Sequence, residues 1–360
     1  MPNLLSHLEV CLGSSSLDAV RTFHSYSNDQ EISMKMKRRT LLGAAAASLC
    51  AGAVPRAFAQ DDWPSRPVKI VSPYGAGGPN DISARLIGEY LAHRLGQAFI
   101  VENKTGAGTR LGNSVVAHAP GDGYTLLYAA APYSTLEALY GKLNYDARKD
   151  LRPVAMAATV PLFLVVNAQA PFKTAQELIA YGKSQANGLT FGSPGYGSLP
   201  HLAAELLYRD AGVKGLTVQY RGDVAAYTDL LAGGRLDATL TAITAALPHI
   251  QSGKLRVLGV ASSSRSEIYP QAPTLREQGL PNVVASGWYG FMAPAAVSDA
   301  IVGRLDSEIN RALKDPELRQ KLLAQGMEPI PGSAAEFGKF ISAEMDKWSE
   351  VIRKAGIKGE

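Results

Sequence analysis

Two glycine-rich turns contain the residues of this sequence that are best suited to bind a small ligand. The first reads "YGAGGPND" from Tyr74 to Asp81 and follows the apolar run "PVKIVS". The second reads "SPGYGS" from Ser193 to Ser198, between the strand pattern "LTFG" and the helix pattern "LPHLAAELL". Both segments therefore have the order strand, turn, helix.

A turn of this kind can bind an anion through its backbone. The first N–H groups of a helix lack intrahelical partners and carry about half a positive charge. Glycine lets a ligand approach that backbone closely. One such turn can hold one carboxylate without Arg or Lys, and two turns facing each other across a cleft can hold a dicarboxylate. The same pattern is also typical of tight turns in which glycine has only a steric role, and the residues alone leave both interpretations open.

Catalytic functions of glycine-rich turns do not match these residues. A nucleotide-phosphate loop needs a Lys after its last glycine, whereas Pro79 and Asn80 follow Gly78. The third glycine of a dinucleotide-binding turn is missing, and the second turn lacks the G-x-S-x-G pattern of a nucleophile elbow. The six histidines are scattered along the chain. We therefore expect no catalytic residues, no metal and no cofactor.

Composition and patterning place these turns in an α/β protein. The 360 residues are 46% hydrophobic and 19% charged, which is typical of globular proteins and leaves room for two domains. Strand-like runs alternate with amphipathic helices nearly throughout, and this order predicts mostly parallel sheets covered by helices. About 300 residues are many for one such sheet, so we expect two lobes.

The N-terminal part resembles an export signal rather than folded structure. "MKMKRRTLLGAAAASLCAGAVPRAFAQ" has a basic start, an Ala-rich middle and an A-x-A exit, which predicts a signal at 34–59 and cleavage before Gln60. Arg38 and Arg39 favour the twin-arginine route, with the Sec route as the alternative. We expect residues 1–33 to be a non-native extension that results from a start codon assigned too far upstream.

Removing residues 1–59 changes the charge and the cysteine content of the chain. Six basic and four acidic residues leave with this segment, so the mature net charge is about +2, and nucleic acid is not an expected partner. Both cysteines, Cys11 and Cys50, also lie in the removed part. The mature chain therefore has neither a disulfide nor a thiol nucleophile.

Several long stretches of the mature chain resemble one known family. They include "WPSRPVKIVSPYGAGGPNDISARLIGEYLAHRLGQAFIVENKTGAGTRLG", "LTFGSPGYGSLPHLAAELL", "YRGDVAAYTDLLAGGRLDATL" and "WYGFMAPAAVSDAIVGRL". In this order they resemble the Bug-type solute-binding proteins, the extracytoplasmic receptors of tripartite tricarboxylate transporters. The resemblance covers essentially the whole mature chain.

The resemblance implies the type II periplasmic binding protein fold, in which two α/β lobes are joined by two crossover strands with the ligand cleft between them. By position, the first lobe would be 60–163 plus 291–360, and the second lobe would be 164–290. The segments "LFLVVN" and "WYGFMAP" would cross between the lobes.

The resemblance also implies which residues bind the ligand. Family members hold carboxylates largely through main-chain groups of the same two turns, and two further loops match positions that set specificity. The implied residues are Tyr74, Gly75, Ala76, Gly77, Gly78, Asn80 and Asp81 in the first turn, Ser193, Gly195, Tyr196, Gly197 and Ser198 in the second, and Ala131, Pro132, Tyr133, Thr241 and Thr244 in the other loops.

Three positions depart from the family pattern and leave the ligand class open. Gly75-Ala76-Gly77-Gly78 replaces the usual Pro-Pro-Gly-Gly, Asn80 replaces Thr or Ser, and Thr241 lies where an acidic residue is common. The resulting expectation is a monomeric periplasmic receptor that binds a small carboxylated metabolite and delivers it to membrane transporter subunits. A periplasmic ligand sensor is the alternative, and a periplasmic enzyme using the same cleft is a further one.

Overall fold

The computed structural model describes residues 63–359, and the strands in this range form two sheets that share one long strand. The expected extension at 1–33, the expected signal at 34–59 and the cleavage site before Gln60 lie outside the described residues. None of the helices between residues 63 and 359 is long and apolar enough to cross a membrane.

Strands and helices alternate along the chain as the sequence pattern predicts. Short 3-10 helices lie at Ala107–Thr109, Ala131–Ser134 and Arg276–Gln278. The other elements are β1 (Val68–Ser72), α1 (Pro79–Leu95), β2 (Phe99–Asn103), α2 (Arg110–Ala117), β3 (Thr125–Ala130), α3 (Leu136–Tyr140), β4 (Leu151–Asn167), α4 (Ala175–Ser184), β5 (Leu189–Ser193), α5 (Leu199–Ala211), β6 (Gly215–Gln219), α6 (Asp223–Ala232), β7 (Ala238–Ala242), α7 (Ile243–Gln251), β8 (Leu255–Val260), β9 (Ser286–Pro294), α8 (Asp299–Ala312), α9 (Pro316–Ala324), β10 (Glu328–Pro329) and α10 (Ala334–Ala355).

Each sheet has a parallel part that carries one glycine-rich turn. In the first sheet β1 pairs in parallel with β2 and β3, and in the second sheet β5 pairs in parallel with β6 and β7. The first turn follows β1 and leads into α1, and the second turn follows β5 and leads into α5. The two turns therefore occupy equivalent positions in two similar units, each a sheet packed against helices.

The sheets are mixed rather than mostly parallel, because β4 and β9 run antiparallel to their neighbours. Residues 151–161 of β4 pair with β9 in the first sheet, and residues 162–167 pair with β7 and β8 in the second. The change occurs at Pro161, which has no N–H to give to a ladder. "LFLVVN" thus lies wholly in the second sheet and "WYGFMAP" wholly in the first, with the change of sheet just before each.

Four groups of buried apolar side chains cover the faces of the two sheets. Helix α10 contributes to two of them: Phe337 and Ile341 pack with the first sheet, whereas Trp348 and Ile352 pack with the second. The expected lobe division, which gives 291–360 to the first lobe alone, stays a prediction. Helix α10 joins the cores of the two sheets.

Candidate functional site

A cavity of about 500 Å³ lies where the two sheets meet. Its walls come from the first turn, from the end of β3, from β4 on either side of Pro161, from the start of β9 and from the first residue of α5. In α/β folds ligands bind in crevices at the carboxyl ends of strands, and the ends of β1 and β3 open here. The cavity is therefore the candidate ligand site.

The carboxylate of Asp81 holds the first turn in shape. It accepts hydrogen bonds from the Gly77 N–H at 2.9 Å, from Arg85 Nε at 3.0 Å and Nη2 at 2.9 Å, and from Asn103 Nδ2 at 2.9 Å. Gly77 has φ +80°, a left-handed conformation that favours glycine. These bonds, that of Arg85 foremost, lower the pKa of Asp81 to about 2. The Asp81 side chain thus stabilises the turn itself.

The first turn leaves several backbone donors open at the start of α1. Gly78 is the N-cap residue and provides no side-chain cap. Within residues 63–359, the N–H groups without a hydrogen-bond partner in this turn are those of Gly75, Ala76, Gly78, Asn80 and Asp81. Such a group of donors at a helix N-terminus suits a carboxylate.

The Asn80 side chain, a departure from the family pattern, is buried and ties two strands together. Its Oδ1 accepts a hydrogen bond from Ser72 Oγ at 2.7 Å, and its Nδ2 donates to the Tyr128 carbonyl at 3.3 Å. Asn80 lines the cavity while its amide connects the end of β1 to β3. The Asn80 side chain therefore holds the start of α1 against the ends of β1 and β3.

The second turn has the same backbone arrangement with a different acceptor. The Gly197 N–H donates to His201 Nδ1 at 2.9 Å, and Gly197 has φ +70°. Because Nδ1 accepts, the neutral ring carries its proton on Nε2, which lies 3.9 Å from Glu205 Oε1. Burial lowers the pKa of His201 and so favours this neutral form.

Side chains and carbonyls of the second turn occupy most of its own donors. Ser198 Oγ caps α5 by accepting from the His201 N–H at 3.4 Å and bonds to Ser193 Oγ at 3.0 Å. Ser193 Oγ also accepts a long bond from the Gly195 N–H, and Ser198 N–H donates to the Gly195 carbonyl. In the described part of the chain, only the N–H groups of Tyr196 and Leu199 stay unpartnered in this turn.

The structure brings most of the predicted turn residues to one region, in two adjoining cavities. The larger one is lined by Tyr74, Gly75, Ala76, Gly78, Asn80, Ala131 and Pro132 of the predicted set. A neighbouring cavity of about 280 Å³ shares Tyr74, Ala131 and Pro132 and adds Tyr196, Gly197 and Ser198.

The other predicted residues do not line either cavity. Gly77, Asp81, Ser193 and Gly195 support the turns from behind, as their bonds above show. Tyr133 is buried and donates to the Ala147 carbonyl at 2.5 Å, so its side chain lies in the core. Thr241 is buried beside the Tyr227 hydroxyl, and Thr244 packs close to Gly326.

Sequence reasoning missed the walls supplied by the crossing strands and by α5. These are Val160, Leu162, Gly287, Trp288, Tyr289 and Leu199. Nothing in their local pattern marks them, because an apolar residue in a strand normally belongs to the core. Trp288 is only 1% exposed, and its indole N–H has no hydrogen-bond partner among the described residues.

Among residues 63–359, those that line either cavity include no Asp, Glu, Lys, Arg or His. Three tyrosines lie at or beside the larger cavity, and burial raises the pKa of Tyr289 to about 12 and that of Tyr74 and Tyr128 further. In residues 63–359 no cluster of three or more His, Cys, Asp or Glu side chains can hold a metal ion. The walls are thus uncharged at neutral pH.

Comparison with known sequences finds similarity along most of the chain. A profile of the family described as Tripartite tricarboxylate transporter family receptor matches residues 83–357. The protein BugT of Bordetella pertussis is 34% identical over 325 residues, which are 90% of this chain and 99% of BugT. A UPF0065 protein of Cupriavidus necator is 35% identical over 319 residues, 89% of this chain and 96% of that protein.

Solved structures with the same fold include proteins crystallised with and without a ligand. A TctC solute-binding protein from Polaromonas, with no ligand, has a TM-score of 0.75 at 27% identity and matches 81% of this chain and 99% of its own. The R. palustris protein Rpa4515 with adipate has a TM-score of 0.67 at 31% identity, over 83% and 100% of the two chains. MatC from Rhodopseudomonas palustris with bound malate has a TM-score of 0.63 at 32% identity and matches 81% of this chain and 100% of its own.

Proposed function

This chain belongs to the tripartite tricarboxylate transporter receptor family, and we propose that it is a periplasmic solute-binding receptor. It captures a small carboxylated metabolite between its two sheets and delivers it to the membrane subunits of a cation-driven transporter. The chain makes and breaks no bond of the ligand.

One observation carries this proposal: the uncapped start of α1 opens into the cavity between the sheets. The unpartnered N–H groups of Gly78, Asn80 and Asp81 can satisfy carboxylate oxygens that lose water on binding. The cavity volume of about 500 Å³ is in the range of sites for small molecules. Relatives crystallised with adipate and malate support a carboxylated ligand.

Binding is coupled to closure of the cleft. The walls come from both sheets, so a ligand that contacts all of them does so fully only when the sheets are close together. Such a ligand favours the closed state by the difference of its affinities for the two states. The closed form is then the one that docks to the membrane partner.

The binding part of the proposal is tested with the mature chain, 60–360. Mass spectrometry of what co-purifies is followed by thermal-shift measurements with mono-, di- and tricarboxylates, their amides and cationic solutes. We expect a carboxylate to raise the melting temperature and its amide not to do so. If only neutral or cationic solutes raise it, the carboxylate site is disproved.

The transport part of the proposal is tested by uptake measurements in bacterial cells. Uptake of the labelled ligand is compared between a strain that lacks this receptor, the same strain complemented with it, and one complemented with Gly78→Asp. We expect uptake only with the intact receptor. Unchanged uptake without the receptor, together with a lost transcriptional response to the ligand, would instead favour the sensor function.

A further inference from the structure

We propose that this cleft takes a monocarboxylate with an aromatic or other compact apolar body, and not a dicarboxylate. The inference rests on the proposed function, since it specifies the ligand of the same cavity. Three features carry it: the unequal donor supply of the two turns, the uncharged walls, and the aromatic surface that β9 presents.

The donor supply favours one carboxylate. The first turn has unpartnered N–H groups at five of its residues, whereas the second has them only at Tyr196 and Leu199 within the described chain. Pro194 and Pro200 have no N–H, and Ser198, Ser193 and His201 use the remaining donors. The second turn is therefore poorly equipped to bind a second ionised group.

The walls offer no cation in place of these missing donors. A carboxylate buried away from water is costly unless a cation or several hydrogen-bond donors meet it. Within residues 63–359 none of the charged residue types lines either cavity, and the wall hydroxyls, such as those of Tyr74, Tyr196 and Tyr289, supply only one donor each. An amino acid meets the same obstacle, because no acidic side chain is there to pair with its ammonium group.

The rest of the cavity suits an apolar body. Val160 and Leu162 of β4 and Leu199 of α5 form aliphatic walls, and Tyr289 of β9 adds an aromatic one. The Tyr289 ring stacks on the buried Tyr128 ring, with 5.9 Å between ring centroids, so it offers a fixed surface. Aromatic pairs favour offset or edge contacts of this kind, and a ring bound here gains both burial and a defined orientation.

The test compares ligands that differ only in the second carboxylate. Isothermal titration calorimetry of the mature chain, with any co-purified ligand removed, uses benzoate against terephthalate and hexanoate against adipate. Benzamide serves as the uncharged analogue of benzoate. We expect each monocarboxylate to bind at least 10-fold more tightly than its dicarboxylate partner, benzoate to bind more tightly than hexanoate, and benzamide not to bind.

The possible outcomes distinguish a failure of this inference from a failure of the proposed function on which it rests. If terephthalate or adipate binds as tightly as its monocarboxylate partner, the inference is overturned and the receptor function stands. If no carboxylate in the panel binds, the carboxylate-receptor function fails, and the inference fails with it.

Discussion

The two glycine-rich turns share one backbone design and differ in the donors that they leave open. In each, a serine ends the strand, a glycine adopts a left-handed conformation, and the third residue of the helix accepts that glycine's N–H. The accepting atom is a carboxylate oxygen of Asp81 in the first turn and an imidazole nitrogen of His201 in the second. A single pattern thus yields one turn that is open to a ligand and one that is largely satisfied by its own side chains.

The difference lies mainly at the N-cap. Gly78 has no side chain, so the first N–H groups of α1 stay available, whereas Ser198 uses its hydroxyl on the start of α5. Two turns with a similar sequence pattern therefore need not bind a ligand equally well. We therefore propose the first turn alone as the anion site, whereas the second positions the wall residue Leu199.

Gly78→Asp should have the largest effect, because it turns the first turn into a capped one. Gly78 has an extended φ of −81°, and a Cβ there would lie 3.7 Å from the nearest carbonyl oxygen, so the change fits sterically. The new carboxylate takes the helix N–H groups and repels the ligand. We expect affinity for the tightest carboxylate of the panel to fall about 100-fold, or about 2.7 kcal/mol, by calorimetry.

Gly78→Ser separates capping from charge and should weaken binding about 10-fold. Both variants should melt at or slightly above the temperature of the wild type, since a polar N-cap adds a few tenths of a kcal/mol over glycine. Unchanged affinity in Gly78→Asp would show that the first turn is not the carboxylate site.

Asp81→Asn should have the next largest effect, and it acts on stability. The pKa of Asp81 in the fold, about 2, lies below its ordinary value of 3.8, so the ionised group stabilises the fold above about pH 4. That contribution is lost as the pH falls towards 2. We expect Asn to cost about 2 kcal/mol at pH 7 and much less at pH 3, by urea unfolding at each pH.

The matched control for that variant is Asp299→Asn at the first turn of α8. Asp299 is 94% exposed and pairs with Arg152, so its loss should stay within about 0.5 kcal/mol at pH 7. Equal losses for the two variants would contradict a special role of Asp81 in the turn.

Ser198→Ala should separate stability from binding at the second turn. It removes the cap of α5 and should destabilise the protein by about 1 kcal/mol. Affinity for the carboxylate should change less than twofold. Ser333→Ala, which removes the cap of α10 away from the cavity, should cost a similar amount. A 10-fold loss of affinity in Ser198→Ala alone would show that both turns bind the ligand.

Acidification should act on the two turns at different pH values. The pKa of buried His201 lies below its ordinary 6.5, so below that pH the unfolded chain gains a proton that the folded chain resists, and stability falls. Once protonated, Nδ1 cannot accept from Gly197, although Glu205 is near enough to attract the charged ring.

Amide NMR spectra can follow this difference. The Gly197 N–H signal should shift only below pH 6.5, as His201 gains its proton, whereas the Gly77 signal should hold until Asp81 titrates below pH 4. His201→Asn keeps an acceptor at the place of Nδ1 and should abolish the Gly197 shift. Parallel shifts of both glycine signals in the wild type would contradict the assignment.

Local signals in the sequence agree with much of the fold. Thr174 caps α4, Ser333 and Glu336 form a capping box at α10, and Gly96 ends α1 in a left-handed conformation, each as the residue types indicate. Local signals did not predict that β4 extends over 17 residues, since Pro153 and Pro161 argue against a strand. The pairing of β4 with β9 includes both prolines, so tertiary pairing overrides this local signal.

The sequence by itself determined where the two turns lie, because glycine, proline and capping residues act on the backbone next to them. Only the tertiary structure decided what each turn can bind. Asn103 reaches Asp81 from β2, and the Tyr128 carbonyl reaches Asn80 from β3, because both strands pair with β1 in the sheet. The cavity walls at Val160, Leu162 and Trp288 likewise arise where two strands cross between sheets, a contact that no local pattern encodes.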